Sequence, residues 1–475
     1  MRGKVVAAVL MPVAVLAAGY AWADAQDIAP GILTSAPLPS PQPPLITASP
    51  LVPASPSPGP VGPLLADAPL PSPTAVTSLA AALRSDPRTG ASTNVYVADY
   101  TTGAMIASLD GEEPQVPAST TKLLTAVAAL ERLGPDFTFD TTVTWNRASS
   151  TLTLVAGGDL MLASGHGHGG TDLDAEGEPQ ANGWAGIADL GDQIAASVPK
   201  GEVTLAVDTS DFPGPAYPSA WPSYALSMGY AGTVQGIAIN IGKKDGIPAS
   251  EYGARDRDTA NRALKALAVD LTKRGYTVHG EGKASTASGS EEVARVHSAP
   301  LSAVVSEFLR YSDNTVAEQT ARVLALHAGK AATPANAAEV TRATLVGLGI
   351  DVTGLVLHDG AGYSASNRVA PRTLVEALIS ARTSANTSGL LTYLPLGGLE
   401  GTVGERFEGT PSAGFLRAKT GSLTGVTALT GVVVTADGRQ VAFAALLDGM
   451  PYGQERPMAA VNEFVNALAE CGCDG

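Results

Sequence analysis

Val116-Pro117-Ala118-Ser119-Thr120-Thr121-Lys122-Leu123-Leu124-Thr125-Ala126-Val127-Ala128-Ala129-Leu130-Glu131 is the stretch on which the fold turns. From Leu123 onward it is rich in helix formers, and Leu133-Gly134-Pro135 reads as a stop. The pattern predicts a helix with Ser119 at its start and Lys122 one turn along. Residues three apart on a helix share a face, with roughly 5–6 Å between Cβ atoms. An amine at that spacing can take the proton of the hydroxyl, which makes Ser119 a candidate nucleophile and Lys122 its candidate base. The plainer reading of Ser119 is an N-cap. Lys122 argues against it, because a capping box asks for Glu or Gln at that place and the helix dipole opposes a cation in the first turn. The same opposition, with burial and a second cation nearby, favours the neutral amine that a general base needs.

Two further motifs follow in order. Ser312-Asp313-Asn314 joins the apolar stretch Ala303 to Tyr311 to a second one opening at Thr315-Val316-Ala317-Glu318. Such a joint can serve simply as a cap, or it can aim Ser312 and Asn314 into a cleft. Lys419-Thr420-Gly421-Ser422 lies on a strand that leads through Leu423 to Val434 into a β-meander, with a turn at Ala436-Asp437-Gly438-Arg439. A lysine on an edge strand guards against aggregation, while Gly421 leaves room for a substrate backbone. Ser197-Val198-Pro199-Lys200 repeats the first spacing, but Pro199 would fall in the first turn and Gly201 to Val207 alternates as a strand, so this pair is set aside.

Serine, Ser-x-Asn and Lys-Thr-Gly elements in this order resemble those of serine β-lactamases and penicillin-binding proteins. Four more stretches narrow the resemblance to the penicillin-binding protein 4 type, the class C D-Ala-D-Ala carboxypeptidases and endopeptidases. They are Gly157-Gly158-Asp159-Leu160-Met161-Leu162, with Leu160 where the family has proline; Asp359-Gly360-Ala361-Gly362-Tyr363-Ser364 with Asn367-Arg368; Leu394 to Val403; and Arg417 to Leu423. The likeness runs from about Leu79 to the end. It implies an α+β fold: a β-lactamase/transpeptidase-like catalytic domain, with an antiparallel sheet flanked by helices and a helical subdomain, carrying a β-rich inserted domain. It implies catalytic roles for Ser119, Lys122, Ser312 and Asn314. Lys419, Thr420, Gly421 and Ser422 would bind substrate, with Lys419 as the positive site for a terminal carboxylate.

By the same resemblance the chain is a serine-type D-Ala-D-Ala carboxypeptidase of peptidoglycan stem peptides, acylated by β-lactam antibiotics as covalent inhibitors, with no metal and no organic cofactor. A DD-endopeptidase would use the same residues. A β-lactamase would need a deacylating glutamate, and none is assignable; a silent wall-binding scaffold would not need intact motifs. The family's acidic residue soon after a tryptophan of the insertion has no counterpart here, where Pro222-Ser223-Tyr224 follow Trp221.

The chain's 475 residues exceed one core and imply two or three units. Arg2 and Lys4 precede the apolar Val5 to Ala18, and Ala21-Trp22-Ala23 or Ala23-Asp24-Ala25 offers a cleavage site, so residues 1–25 read as a secretory signal peptide. Left uncleaved, the segment would anchor the chain in a membrane. Recurrent prolines make residues 26–76 a semi-rigid linker. Residues 77–136 and 296–475 are expected to form the catalytic domain, and residues 137–295, with alternating runs at Thr151 to Val155, Val203 to Val207 and Gly236 to Ile241, the β-rich insertion. A net charge of −15 without clustered cations argues against nucleic acid. Neither a Gly-x-Ser-x-Gly elbow nor a His-Glu-x-x-His helix occurs. His166 and His168, in a glycine-rich loop, read as solvated rather than as a metal pair, and Cys471-Gly472-Cys473 is too short for an unstrained disulfide.

Overall fold

A computed structural model describes residues 68–90, 92–174, 177, 179–244, 247, 253–450 and 455–471. The expected signal segment, nearly all of the expected linker, and Cys473 lie outside these residues. Helices of eight or more residues are α1 (Pro73–Ser85), α2 (Thr121–Leu133), α3 (Ile187–Ser197), α4 (Thr259–Lys273), α5 (Leu301–Arg310), α6 (Asn314–His327), α7 (Pro334–Gly347), α8 (Pro371–Ser380) and α9 (Glu455–Glu470). Strands are β1 (Ser92–Asp99), β2 (Met105–Leu109), β3 (Asp140–Asn146), β4 (Thr151–Val155), β5 (Glu202–Asp208), β6 (Thr277–Lys283), β7 (Glu291–His297), β8 (Leu416–Leu423), β9 (Val426–Val434) and β10 (Gln440–Asp448). No helix among the described residues is long and apolar enough to cross a membrane.

The first sheet, in the order β2-β1-β10-β9-β8, is antiparallel throughout and joins both ends of the described chain. Alternate residues of a strand face opposite sides. Val441, Phe443, Ala445 and Leu447 of β10 pack with Val76, Ala80 and Leu83 of α1 and Val461, Phe464 and Val465 of α9. Ala442, Ala444 and Leu446 look the other way, into a core that includes Leu123, Leu124, Leu374 and Leu378. Both faces are covered, which explains the nearly unbroken apolar run of β9 and β10.

Helix α2 is the hub. Every residue from Thr121 to Leu130 is buried, as befits a helix enclosed on all sides, and α5, α6, α7 and α8 surround it. It ends where the sequence predicts, at Gly134 with φ 87°, a conformation that favours glycine.

The second sheet, in the order β6-β5-β4-β3-β7, is mixed: β4–β5 and β5–β6 run parallel, the other pairs antiparallel. Parallel neighbours need crossovers, usually helical, and α3 and α4 supply them, packing on each other and on the sheet. The alternation of the strands did not announce these helices. Two expectations are corrected here. Residues 236–241 form no regular strand: Gly236, Asn240 and Ile241 take positive φ, and the segment makes one isolated bridge, Leu162 to Ile239. Residues 73–76, expected within the linker, open α1, where Ser72 Oγ accepts from Ala75 N and proline stands in the first turn, a favoured place for it.

Candidate active site

Ser119 lies in a short 3-10 turn, Ala118–Thr120, that runs straight into α2. Ala118 has φ 48°, and the tight approach around it depends on two glycines. A Cβ on Gly362 would fall 1.8 Å from Ala118 O, and one on Gly421 would fall 2.8 Å from Pro117 O. Gly421 thus seats the β8 edge against the serine's turn, in addition to whatever access it leaves to substrate.

Lys122 is fully buried. Its Nζ donates to Ser119 Oγ at 2.9 Å, Asn314 Oδ1 at 2.6 Å and Ala361 O at 2.7 Å. All three partners are neutral. Burial lowers its pKa to about 7, against the pull of the Asp359 and Asp313 carboxylates.

Ser312 stands at φ 58°, between α5 and α6, and its Oγ accepts from Lys419 Nζ at 2.9 Å. Lys419 also donates to Thr420 O at 2.9 Å. Leu416 and Ala418 enter the core beneath α1 and α9, so period two turns Lys419 to the helical side. Its side chain is completely buried, and it is not on the cleft wall, where the sequence reading had it meet a carboxylate. Burial, then the nearby Lys122 and Arg406, push its pKa well below the usual lysine value.

Asp313 caps α6, accepting from Thr315 N and Val316 N at 2.8 and 2.9 Å. Its other oxygen takes Arg255 Nη2 at 2.8 Å. Burial works against the Asp313 charge, but Arg255 holds its pKa below the ordinary value. Asn314 gives its Oδ1 to Lys122 and its Nδ2 to Tyr230 O.

Ser119, Ser312, Asn314, Thr420, Gly421 and Ser422 meet on one cleft of about 720 Å³, with Lys122 and Lys419 behind its wall. All eight residues singled out in the sequence therefore converge. Asp359 was quoted there without a role. Its buried carboxylate accepts from the backbone N–H of Ala361, Gly362, Tyr363 and Ser364 and from Trp221 Nε1, and so shapes the loop whose Ala361 O grips Lys122. Arg406, Tyr224, Met228 and Met458 on the cleft wall carried no sequence signal. His166 and His168 diverge: His166 meets Asp189 at 2.7 Å, while His168 bonds Asn182 O. The surface trio His166, Asp189 and Asp192 is already engaged, Asp189 by two backbone N–H groups and Asp192 by Arg274.

A serine whose hydroxyl meets a buried lysine with a lowered pKa, opposite a second serine held by a second lysine, defines a serine hydrolase of the acyl-enzyme kind. The chain belongs to the D-Ala-D-Ala carboxypeptidase 3 (S13) family, whose model matches residues 75–247 and 244–471. It is 33% identical over 405 residues to carboxypeptidase DacB of Mycolicibacterium smegmatis, covering 84% of each chain. It is 30% identical to a D-alanyl-D-alanine carboxypeptidase of Actinomadura, over 82% of this chain and 83% of that one. Penicillin-binding protein 4 from Haemophilus influenzae shares the fold with a TM-score of 0.68 at 20% identity, over 84% of this chain and all of that one. The protein is a serine-type carboxypeptidase.

Proposed function

We propose that the protein removes the terminal D-alanine from peptidoglycan stem peptides through an acyl-serine intermediate. The observation that carries this is the 2.9 Å contact between Ser119 Oγ and a Lys122 amine whose pKa burial brings to about 7. Neutral Lys122 takes the Ser119 proton as Oγ attacks the carbonyl of the penultimate D-alanine. The backbone N–H groups of Ser119 and Ser422 receive the developing oxyanion, each such donor being worth about 3 kcal/mol. Ser312 hands its proton to the amine of the leaving D-alanine and takes one in turn from Lys419, whose Nζ donates to its Oγ. Asn314 holds Lys122 in place and borders the cleft, where it can meet the substrate amide. The hydroxyls of Thr420 and Ser422 bind the terminal carboxylate. Water then hydrolyses the ester, giving a proton through Ser312 to Lys419 while Lys122 returns its proton to Ser119 Oγ. A β-lactam presents the same carbonyl and carboxylate but keeps its leaving group tethered, so the adduct on Ser119 persists. The substrate is outside the cytoplasm, which agrees with the signal-like residues 1–25.

Intact-mass measurement with benzylpenicillin on wild type and Ser119→Ala, alongside D-alanine release from a defined pentapeptide, tests the reading. One adduct on wild type only, with D-alanine release, is expected. An inert wild type would overturn it, and cleavage of cross-linked dimers without D-alanine release would assign the cleft to endopeptidase work.

A further inference from the structure

Lys419 leaves a vacancy in the usual logic of carboxylate binding: its Nζ is buried and directed to Ser312 and to Thr420 O. Among the described residues lining the cleft, one carries a charge, and that is Arg406. We propose that Arg406 supplies the positive charge that holds the substrate's terminal carboxylate, while Lys419 acts behind the wall by orienting Ser312. This rests on the carboxypeptidase reading above.

Arg406 sits in a one-turn helix, Gly404–Phe407, and shares its stretch of wall with Thr402 and Thr420, whose hydroxyls are 2.9 Å apart. Its Nε and Nη2 both donate to Asn462 Oδ1 of α9, at 3.2 and 2.6 Å. Asn462 Nδ2 returns a bond to Arg406 O, and the guanidinium lies 5.7 Å from the Phe407 ring centre. Nη1 makes no hydrogen bond to a described residue, and no described carboxylate pairs with the group. Other sequestered guanidinium groups of the fold behave differently: Arg255 has Asp313, Arg322 has Glu318 and Arg439 has Asp99. A partly desolvated cation without a counter-ion is unfavourable unless an anion completes it, and burial already lowers the Arg406 pKa to about 10. The guanidinium fork suits a carboxylate, which it can bind through two parallel N–H groups. Neutral Asn462 fixes the fork without consuming its charge. The anion therefore arrives with the substrate, as the C-terminal carboxylate of D-Ala-D-Ala or the equivalent group of a β-lactam.

The test is the second-order rate of acylation by benzylpenicillin and by its neutral methyl ester, read by mass on wild type, Arg406→Gln, Arg406→Lys and Asn462→Ala, with melting temperatures for each. Arg406→Gln should lose about 10- to 100-fold toward benzylpenicillin and little toward the ester. Arg406→Lys, which keeps charge but not the fork, should recover most of the loss. Asn462→Ala, which keeps the charge and removes its prop, should fall between. Equal loss toward acid and ester, or equal loss in the Gln and Lys variants, would assign Arg406 to packing and overturn the proposal. So would an unchanged Arg406→Gln. A wild type that forms no adduct would instead overturn the parent reading, and this one with it.

Discussion

The pH dependence of acylation is the most direct consequence of the site. Lys122 must be neutral to accept the Ser119 proton, and its pKa of about 7 makes about half of it neutral at pH 7. A lysine at its ordinary value of about 10.4 would be neutral there in roughly one molecule in 2,500, so burial raises the fraction of usable base by about three orders of magnitude. The sign follows: the protonated form dominates below pH 7, and acylation falls about tenfold per pH unit as the solution becomes more acidic. Above pH 7 the amine is neutral and the rate levels off. Stopped-flow or mass-resolved acylation by benzylpenicillin from pH 5 to pH 10 should show a single rise centred near 7. Lys122→Arg, which cannot lose its proton, should remain at least about 10³-fold slower across the whole range. A wild-type profile that keeps climbing to an inflection near pH 10 would refute the claim that burial tunes this lysine, and a competent Lys122→Arg would refute its role as base.

Removing the Ser119 hydroxyl should abolish the penicillin adduct while changing stability by less than about 0.5 kcal/mol, since no core contact is lost; a surviving adduct on the variant would place the nucleophile elsewhere. Arg255→Met removes the guanidinium paired with the buried Asp313 carboxylate at 2.8 Å, and should cost about 3–5 kcal/mol of unfolding free energy in denaturant titrations. A change under 1 kcal/mol would show that the pair is not desolvated. Gly421→Ala, with a Cβ 2.8 Å from Pro117 O, should displace the serine's turn and slow acylation by about 10²-fold, the order expected for a 1 Å misplacement, with retained folding by circular dichroism; an unaffected rate would mean the turn yields freely.

The three catalytic motifs were readable because each is local: a helical spacing, a joint between two apolar helices, a glycine on an edge strand. What each residue touches was not readable, since that depends on partners far along the chain. Nothing near Arg406 in the sequence distinguishes it from a surface cation; its meaning comes from Asn462 on α9 and from the cleft it borders. Lys419 shows the reverse. Its motif was plain, but the direction of its side chain is fixed by strand period and by Ser312, and these hold its amine buried behind the cleft wall. Gly236 to Ile241 looked like a strand by alternation, yet positive φ at Asn240 and Ile241 breaks the ladder. A residue-by-residue pattern cannot register such a break when Ile241 itself adopts it, because a β-branched residue seldom does.

The long stretch between α2 and α5 does more than separate two motifs. Three of its groups hold the catalytic residues from outside: Arg255 clamps Asp313 at the mouth of α6, Tyr230 O takes the Asn314 amide, and Trp221 Nε1 reaches Asp359. The first two fix the Ser312-Asp313-Asn314 joint in a conformation with Ser312 at φ 58°, unfavourable for a non-glycine residue and held only when its surroundings demand it. The third supports the Asp359 loop, which delivers Ala361 O to Lys122. Asn314 Oδ1, Ala361 O and Ser119 Oγ together satisfy the three donor positions available on a protonated Lys122 ammonium. These partners are neutral, so no counter-ion in direct contact offsets the burial that lowers the pKa. The second-sheet segment thus reaches the chemistry through the residues that keep Lys122 dry and correctly placed, which is why Trp221, despite lacking a following acid, is still bound into the site.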